Sequence, residues 1–227
     1  MTTILSARNV TKAFGDNTVL HGISVDIAAG DMVAITGPSG SGKSTLLYAL
    51  SGMDSVSSGT VTLCGEDLTQ LSQKELARLR LTHMGFVFQQ IHLLTNLNVL
   101  DNIIFPAFLA GLAPRDELVE RAYELMQNLG VKSLARRDIT EASGGQLQRV
   151  GICRALINEP RIIFADEPTG ALDSENSRQV MDIFRDINAA GTTIVMVTHD
   201  EDIASSSPRR VHLVDGLVDY DTRAKER

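Results

Sequence analysis

An eight-residue loop, Gly37-Pro38-Ser39-Gly40-Ser41-Gly42-Lys43-Ser44, constrains this chain more than any other feature. It lies between the apolar run Met32 to Thr36 and the helix-like stretch Lys43 to Leu50, and Thr45 follows it. The pattern G-x-x-x-x-G-K-[ST] carries meaning only in such a strand–loop–helix setting. Its glycines let successive backbone N–H groups curl around a phosphate with no Cβ in the way. The helix opening at Lys43 aims the positive end of its dipole at the same charge. Lys43 is expected to neutralise phosphate oxygens and the Ser44 hydroxyl to ligate Mg2+. The loop therefore predicts a nucleoside triphosphate site.

Composition narrows the remaining choices. With 227 residues, 43% hydrophobic and 22% charged, the chain has ordinary globular usage and is long enough for one domain with a sub-lobe. No apolar run reaches the roughly 20 residues of a spanning helix. The longest, Ile103 to Ala113, is interrupted by Pro106 and Gly111. Arg8, Asn9 and Lys12 precede any apolar stretch, so no signal peptide is read and a cytoplasmic location is expected. With 28 acidic against 21 basic residues the net charge is −7. General attraction to nucleic acid is thus excluded, and Arg136-Arg137 reads as solvated surface. Cys64 and Cys153 lack metal-site spacing and are expected as two small buried hydrophobes.

Periodicity and turn residues organise the rest. Residues 3–30 alternate polar and apolar, with turns at Gly15-Asp16-Asn17 and Ala29-Gly30-Asp31, predicting antiparallel strands. Thr60 to Cys64 and Gly85 to Phe88 read as further strands. From Asn98 to Leu129 the pattern is helical, with Leu118, Ala122, Leu125 and Leu129 on one face, a start at Pro114 and a stop at Gly130. A helix is predicted from Ser143 to about Asn158, a buried strand over Arg161 to Ala165, a helix over 174–189 and a strand over Thr192 to Val197. The tail reads as a hairpin about Asp215-Gly216, with 221–227 fraying.

A phosphate cradle needs a metal anchor and a group to activate water. Asp166 and Glu167, at the C-terminal end of the predicted strand, can supply both: Asp166 for Mg2+, Glu167 to polarise the attacking water. His199, just past the strand Thr192 to Val197, is placed to donate a hydrogen bond to the γ-phosphate. Ser143-Gly144-Gly145-Gln146 opens a second helix with a hydroxyl and N–H groups suited to an anion. Taken alone it is an ordinary flexible cap. Only one helix end can cradle the β-phosphate, so the second must meet the γ side of this nucleotide or of a partner's.

These residues, in this order, resemble the nucleotide-binding domain of ABC transporters over nearly the whole chain. Gly37, Pro38, Ser39, Gly40, Ser41, Gly42, Lys43, Ser44 and Thr45 look like Walker A, and Phe14 like the aromatic that stacks on adenine. Gln89 looks like the Q-loop glutamine, a catalytic and Mg2+-contacting position. Ala142 to Gln146 looks like the signature loop, Asp166 and Glu167 like Walker B and the catalytic glutamate, Gly170-Ala171-Leu172-Asp173 like the D-loop, and His199 like the switch histidine. Ala142 departs from the usual leucine, a loss of about 2–3 kcal/mol if the position is a buried core site.

The resemblance implies an α/β fold: a P-loop NTPase core with a mostly parallel sheet, an N-terminal antiparallel β-subdomain and an inserted α-helical subdomain. Within the single domain 1–227, residues 1–88 and 159–227 would form the core and β-subdomain, and 89–158 the helical subdomain. It also implies an ATPase, with ATP and Mg2+ as cofactors, working as a homodimer in which Ser143 of one copy meets ATP held by Lys43 of the other. A membrane permease subunit would anchor it at the cytoplasmic face. Phe88 to Leu94 and Ala165 to Asp173 look like the lipoprotein-release, macrolide-export and peptide-antibiotic-resistance type. An amino-acid importer ATPase is the alternative; Ala165 and Gly170 speak against it, since Phe and Ser are commoner there. A soluble non-transport ABC ATPase would usually show paired domains or coiled-coil insertions, and a GTPase would need an Asn-Lys-x-Asp motif, which is absent.

Overall fold

The computed structural model describes residues 2–111 and 113–223. Leu112, within the apolar stretch singled out above, and residues 224–227 of the expected frayed tail lie outside the described residues. The chain divides into two compact units, one of residues up to 77 together with those from 188 onward, the other Arg78–Ile187.

In the first unit, β1 (Thr3–Phe14) and β2 (Asn17–Ala28) pair antiparallel across the Gly15-Asp16 turn, as their alternation predicts. With β4 (Ser58–Leu63) and β5 (Glu66–Asp67) they form an antiparallel sheet of order β2-β1-β4-β5. Beside it β3 (Met32–Thr36) pairs parallel with both β8 (Thr193–Val197) and β9 (Arg209–Val214). Every residue of β3 and β8 is buried, the reason both read as unbroken apolar runs rather than alternating ones. β10 (Leu217–Asp221) folds back antiparallel on β9 through the Asp215-Gly216 turn. The helix α1 (Lys43–Leu50) follows the phosphate loop, and α7 (Glu201–Ser206), capped by Asp200, follows β8.

In the second unit β6 (Met84–Phe88) and β7 (Ile162–Asp166) pair parallel, Phe88 opposite Asp166. The helices α3 (Val99–Ala110), α4 (Arg115–Asn128) and α5 (Gly144–Leu156) enclose a core that includes Ile103, Leu118, Met126 and Val150. The helix α6 (Ser174–Ala189) begins in this unit after β7 and runs to the boundary. Mixed parallel pairing, an antiparallel subdomain and a helical layer give the α/β class expected.

Several local expectations are corrected. Gly111, left-handed at φ 63°, ends α3, whereas Pro106 sits inside it. Proline lacks the N–H that would close the turn onto Asn102. Asn102 is 1% exposed, and its side-chain amide instead ties down the backbone of Leu94, Leu97 and Asn98. On α4 the buried stripe runs through Leu118, Ala122 and Met126, with Leu125 and Leu129 only partly covered. The helix α5 stops at Leu156 rather than near Asn158. The helix α2 (Gln73–His83) was not foreseen, although Ser72 and Glu75 form a capping pair, the Ser72 N–H and hydroxyl both donating to the Glu75 carboxylate. Cys153 is buried, which pushes its thiol up to about 12, but Cys64 is only partly covered and occupies a left-handed turn at φ 52°.

Residues 221–223, expected to fray, are held in place. Arg209, 7% exposed, donates to both oxygens of Asp221 and to Asp31, and Arg223 reaches the same Asp31 oxygen. Burial pushes the Asp221 carboxyl up, but hydrogen bonding to Arg209 and the arginine charges outweigh it and hold the group below the usual carboxylate range. Asp221→Asn is expected to cost about 1.5–3 kcal/mol, the worth of a hydrogen bond to a charged group, read as a lower urea midpoint at pH 7. The lowered folded pKa means this stabilisation is present above the unfolded value near ~3.9 and is lost as pH falls through the folded value. The variant's stability should accordingly converge on the parent's in acid.

Candidate nucleotide site

The phosphate loop grows directly out of β3. Thr36, the last strand residue, is 3% exposed, and Gly42 caps α1 in a left-handed conformation, φ 93°, with no side-chain cap. The helix start thus carries no side-chain cap, and its dipole turns a positive end toward the loop. Lys43 is 8% exposed and donates from Nζ to the Pro38 carbonyl at 2.8 Å, so its charge is held within the ring of the loop. Ser41 Oγ is buried without a hydrogen-bond partner. A lysine held in a glycine-rich ring at a helix N-terminus fits a polyphosphate in shape and in sign.

Phe14 ends β1 and is 53% exposed, and Lys12 Nζ lies 4.8 Å from its ring centroid. Lys12 is itself anchored by Asp54 and the Ser55 carbonyl. One face of the ring carries a cation, a setting suited to an exposed stacking platform. Sequence reading missed Lys12, though its i, i+2 relation to Phe14 on a strand would have placed both on one side.

His199 is exposed beyond β8. Ile35 of β3 faces Val197 of β8 in parallel register, and the Thr198 N–H continues the ladder to the Ile35 carbonyl at 3.2 Å. His199 therefore leaves the sheet next to the strand that enters the phosphate loop.

In the second unit, the register of Phe88 with Asp166 makes Gln89 and Glu167 the next residue out on each strand. Glu167 takes a left-handed backbone, φ 47°, unusual for a residue with a Cβ and typical of strained functional positions. A methyl group built on Gly170 would lie 2.9 Å from Gln89 Nε2 and 3.3 Å from Glu167 Oε2. The Gln89 amide and the Glu167 carboxylate thus converge over a bare glycine, and a side chain here would require the flexible Gln89 amide to shift.

Ser143 caps α5 with a closed box: the Gln146 N–H donates to Ser143 Oγ at 3.3 Å and the Ser143 N–H to Gln146 Oε1 at 2.9 Å. Gly144 faces open space. Gly145 packs on Asn176, whose Oδ1 would lie 2.3 Å from a methyl group there. Asn176 in turn donates from its backbone and its amide to the Asp173 carboxylate, both at 2.8 Å, which lowers that carboxyl below its usual range. Asn176 was not singled out from the sequence; its Asp-x-x-Asn spacing at a helix start was the available signal. Ala142 is partly exposed at the edge of the helical core, so the missing leucine costs less than a fully buried truncation.

A phosphate-cradling loop at a helix start and an acidic pair closing a buried parallel strand define a P-loop nucleoside triphosphatase. The sequence profile of ABC transporters matches residues 20–170. The lipoprotein-releasing system ATP-binding protein LolD of Bacteroides fragilis is 43% identical over 216 residues, covering 95% of this chain and 100% of that protein. The macrolide export ATP-binding/permease protein MacB of Escherichia coli K12 is 44% identical over 222 residues, covering 96% of this chain and 34% of that protein. Among solved structures, the dimeric post-hydrolysis state of the ATP-binding cassette MJ0796, bound to ADP and Pi, matches with a TM-score of 0.88 at 36% identity, covering 96% of this chain and 97% of that one. The chain belongs to the ABC transporter family. It is that family's ATP-hydrolysing cassette, grouped by its relatives with export-type systems.

Proposed function

We propose that this cassette binds Mg-ATP on the loop 37–45, pairs head to tail with a second copy, and drives a separate membrane subunit of the lipoprotein-release or macrolide-export kind. Family membership and motif order support bringing the residues of the two units to one nucleotide. In that arrangement Lys43 and the loop N–H groups bind the β- and γ-phosphates, and Phe14 stacks on adenine. Glu167 accepts a proton from the attacking water, Gln89 orients that water, and His199 donates to the γ-phosphate. Ser44, Asp166 and Gln89 would hold Mg2+, which supplies charge neutralisation across the phosphates. That LolD and MacB carry names from lipoprotein release and macrolide export supports the export assignment.

The observation that carries the dimer is the α5 N-terminus, an anion-seeking helix end additional to that of α1 and with open space at Gly144. The MJ0796 cassette is itself dimeric. On the helical unit, Phe108 and Leu109 of α3 are 64% and 57% exposed, an apolar surface suited to a partner subunit. Among the described residues no helix is long and apolar enough to cross a membrane, so attachment at the cytoplasmic face is assigned to that subunit. Ser143→Arg is expected to leave ATP binding by the single chain intact and to abolish the ATP-dependent dimer in size-exclusion chromatography. A dimer that forms normally would remove the cross-subunit role of the signature loop.

A further inference from the structure

Nothing in the motifs above assigns a role to the C-terminal hairpin β9–β10, yet it touches the glycine-rich loop at its entry and again at Ser41. We propose that this hairpin is a brace that pre-orders the loop for ATP, with His212 as a positioning residue acting through Thr36. The proposal rests on the loop 37–45 being the ATP site.

At the loop's entry, His212 of β9 stands opposite Thr36 of β3 in parallel register. Its Nδ1 shares a 2.9 Å hydrogen bond with Thr36 Oγ1, a hydroxyl on a residue only 3% exposed that needs a partner inside the protein. The imidazole plane is set by stacking on Tyr220 of β10, centroids 4.9 Å apart and planes 9° from parallel. The next residue, Gly37, lies so close to the hairpin that a methyl group there would be 2.1 Å from the Leu213 carbonyl oxygen.

Further along, the Gly216 N–H donates to the Ser41 carbonyl at 3.2 Å. Gly216 is held from behind, because its carbonyl accepts from the His21 N–H at 2.9 Å and a methyl group on it would fall 2.0 Å from the Val19 oxygen. The hairpin tip is therefore wedged between β2 and the loop.

A loop with three glycines in six residues loses much backbone freedom when it closes on phosphate. Contacts that fix it beforehand lower that cost and appear as affinity. Thr36 and His212 contact no reacting atom, so their effect belongs in binding rather than in the rate at saturation.

The test is ATP titration of the full chain, with turnover at saturating ATP and the melting midpoint without nucleotide measured beside it. His212→Phe keeps a ring against Tyr220 and loses Nδ1; Thr36→Val loses the hydroxyl at nearly constant shape. Each is expected to weaken ATP binding by about 3–10-fold, with kcat and the midpoint close to the parent's. The double variant should be no worse than either single one, and His212→Asn, which places an amide near the lost nitrogen, should restore most of the affinity. Lys43→Ala in the same assay separates the two claims: if it binds ATP normally, the site itself is misassigned. If Lys43→Ala loses ATP while His212→Phe and Thr36→Val bind like the parent, the brace is overturned. Affinity that falls only in step with the melting midpoint, without rescue by His212→Asn, overturns it equally.

Discussion

Glu167→Gln is expected to slow ATP hydrolysis by about 10²–10⁴-fold, the usual worth of a positioned general base, while ATP is still bound. The amide keeps the size and much of the hydrogen bonding of the carboxylate but cannot accept the proton that attacking water must lose. Its backbone, at φ 47°, has no reason to move, and the Gln89 amide still meets the same bare Gly170 beside it. If two copies share two nucleotides, blocking hydrolysis removes the step that reopens them, so the variant should accumulate as an ATP-bound dimer. Phosphate release and size-exclusion chromatography read the two effects separately. Parental turnover in the variant would take Glu167 out of the reaction and leave Asp166 or His199 to explain it.

Lys43→Ala should act one step earlier, on binding itself. The ammonium is almost wholly buried in the loop and tethered to the Pro38 carbonyl, so it is already positioned when phosphate arrives. A charge-assisted hydrogen bond of this kind contributes roughly 1.5–3 kcal/mol, which corresponds to ATP affinity lower by about 10–100-fold. Calorimetric titration measures it, and hydrolysis should fall below detection at ordinary ATP concentrations. The fold should persist, because the buried β3 and β8 strands and the helix α1 do not depend on that charge. Unchanged affinity would mean that the loop 37–45 is not the ATP site.

The parts of this protein that could be read from the sequence are those encoded over a few neighbouring residues. The phosphate loop, the two-sided burial of β3 and β8, and the Gly15-Asp16 turn each follow from local pattern. What escaped notice was set by packing between distant segments. Pro106 looks like a helix breaker until Asn102 is seen tying down the preceding turn from a buried position. Nothing local couples Thr36 to His212, 176 residues later, or sets Gly145 against Asn176 and so against Asp173. In α4 the stripe continues from Ala122 to Met126 rather than to Leu125 and Leu129, because the surrounding helices decide which side of a broad apolar face is covered. The helix α2 was missed for a different reason: its capping pair was present at Ser72 and Glu75, but its low hydrophobicity hid the periodicity.

The left-handed backbone at Glu167 carries a cost in stability. Such a conformation is disfavoured by about 1–2 kcal/mol for a residue with a β-carbon and is nearly neutral for glycine. The chain thus gives up folding stability at this one position to keep a side chain there, beside Gln89 and the bare Gly170.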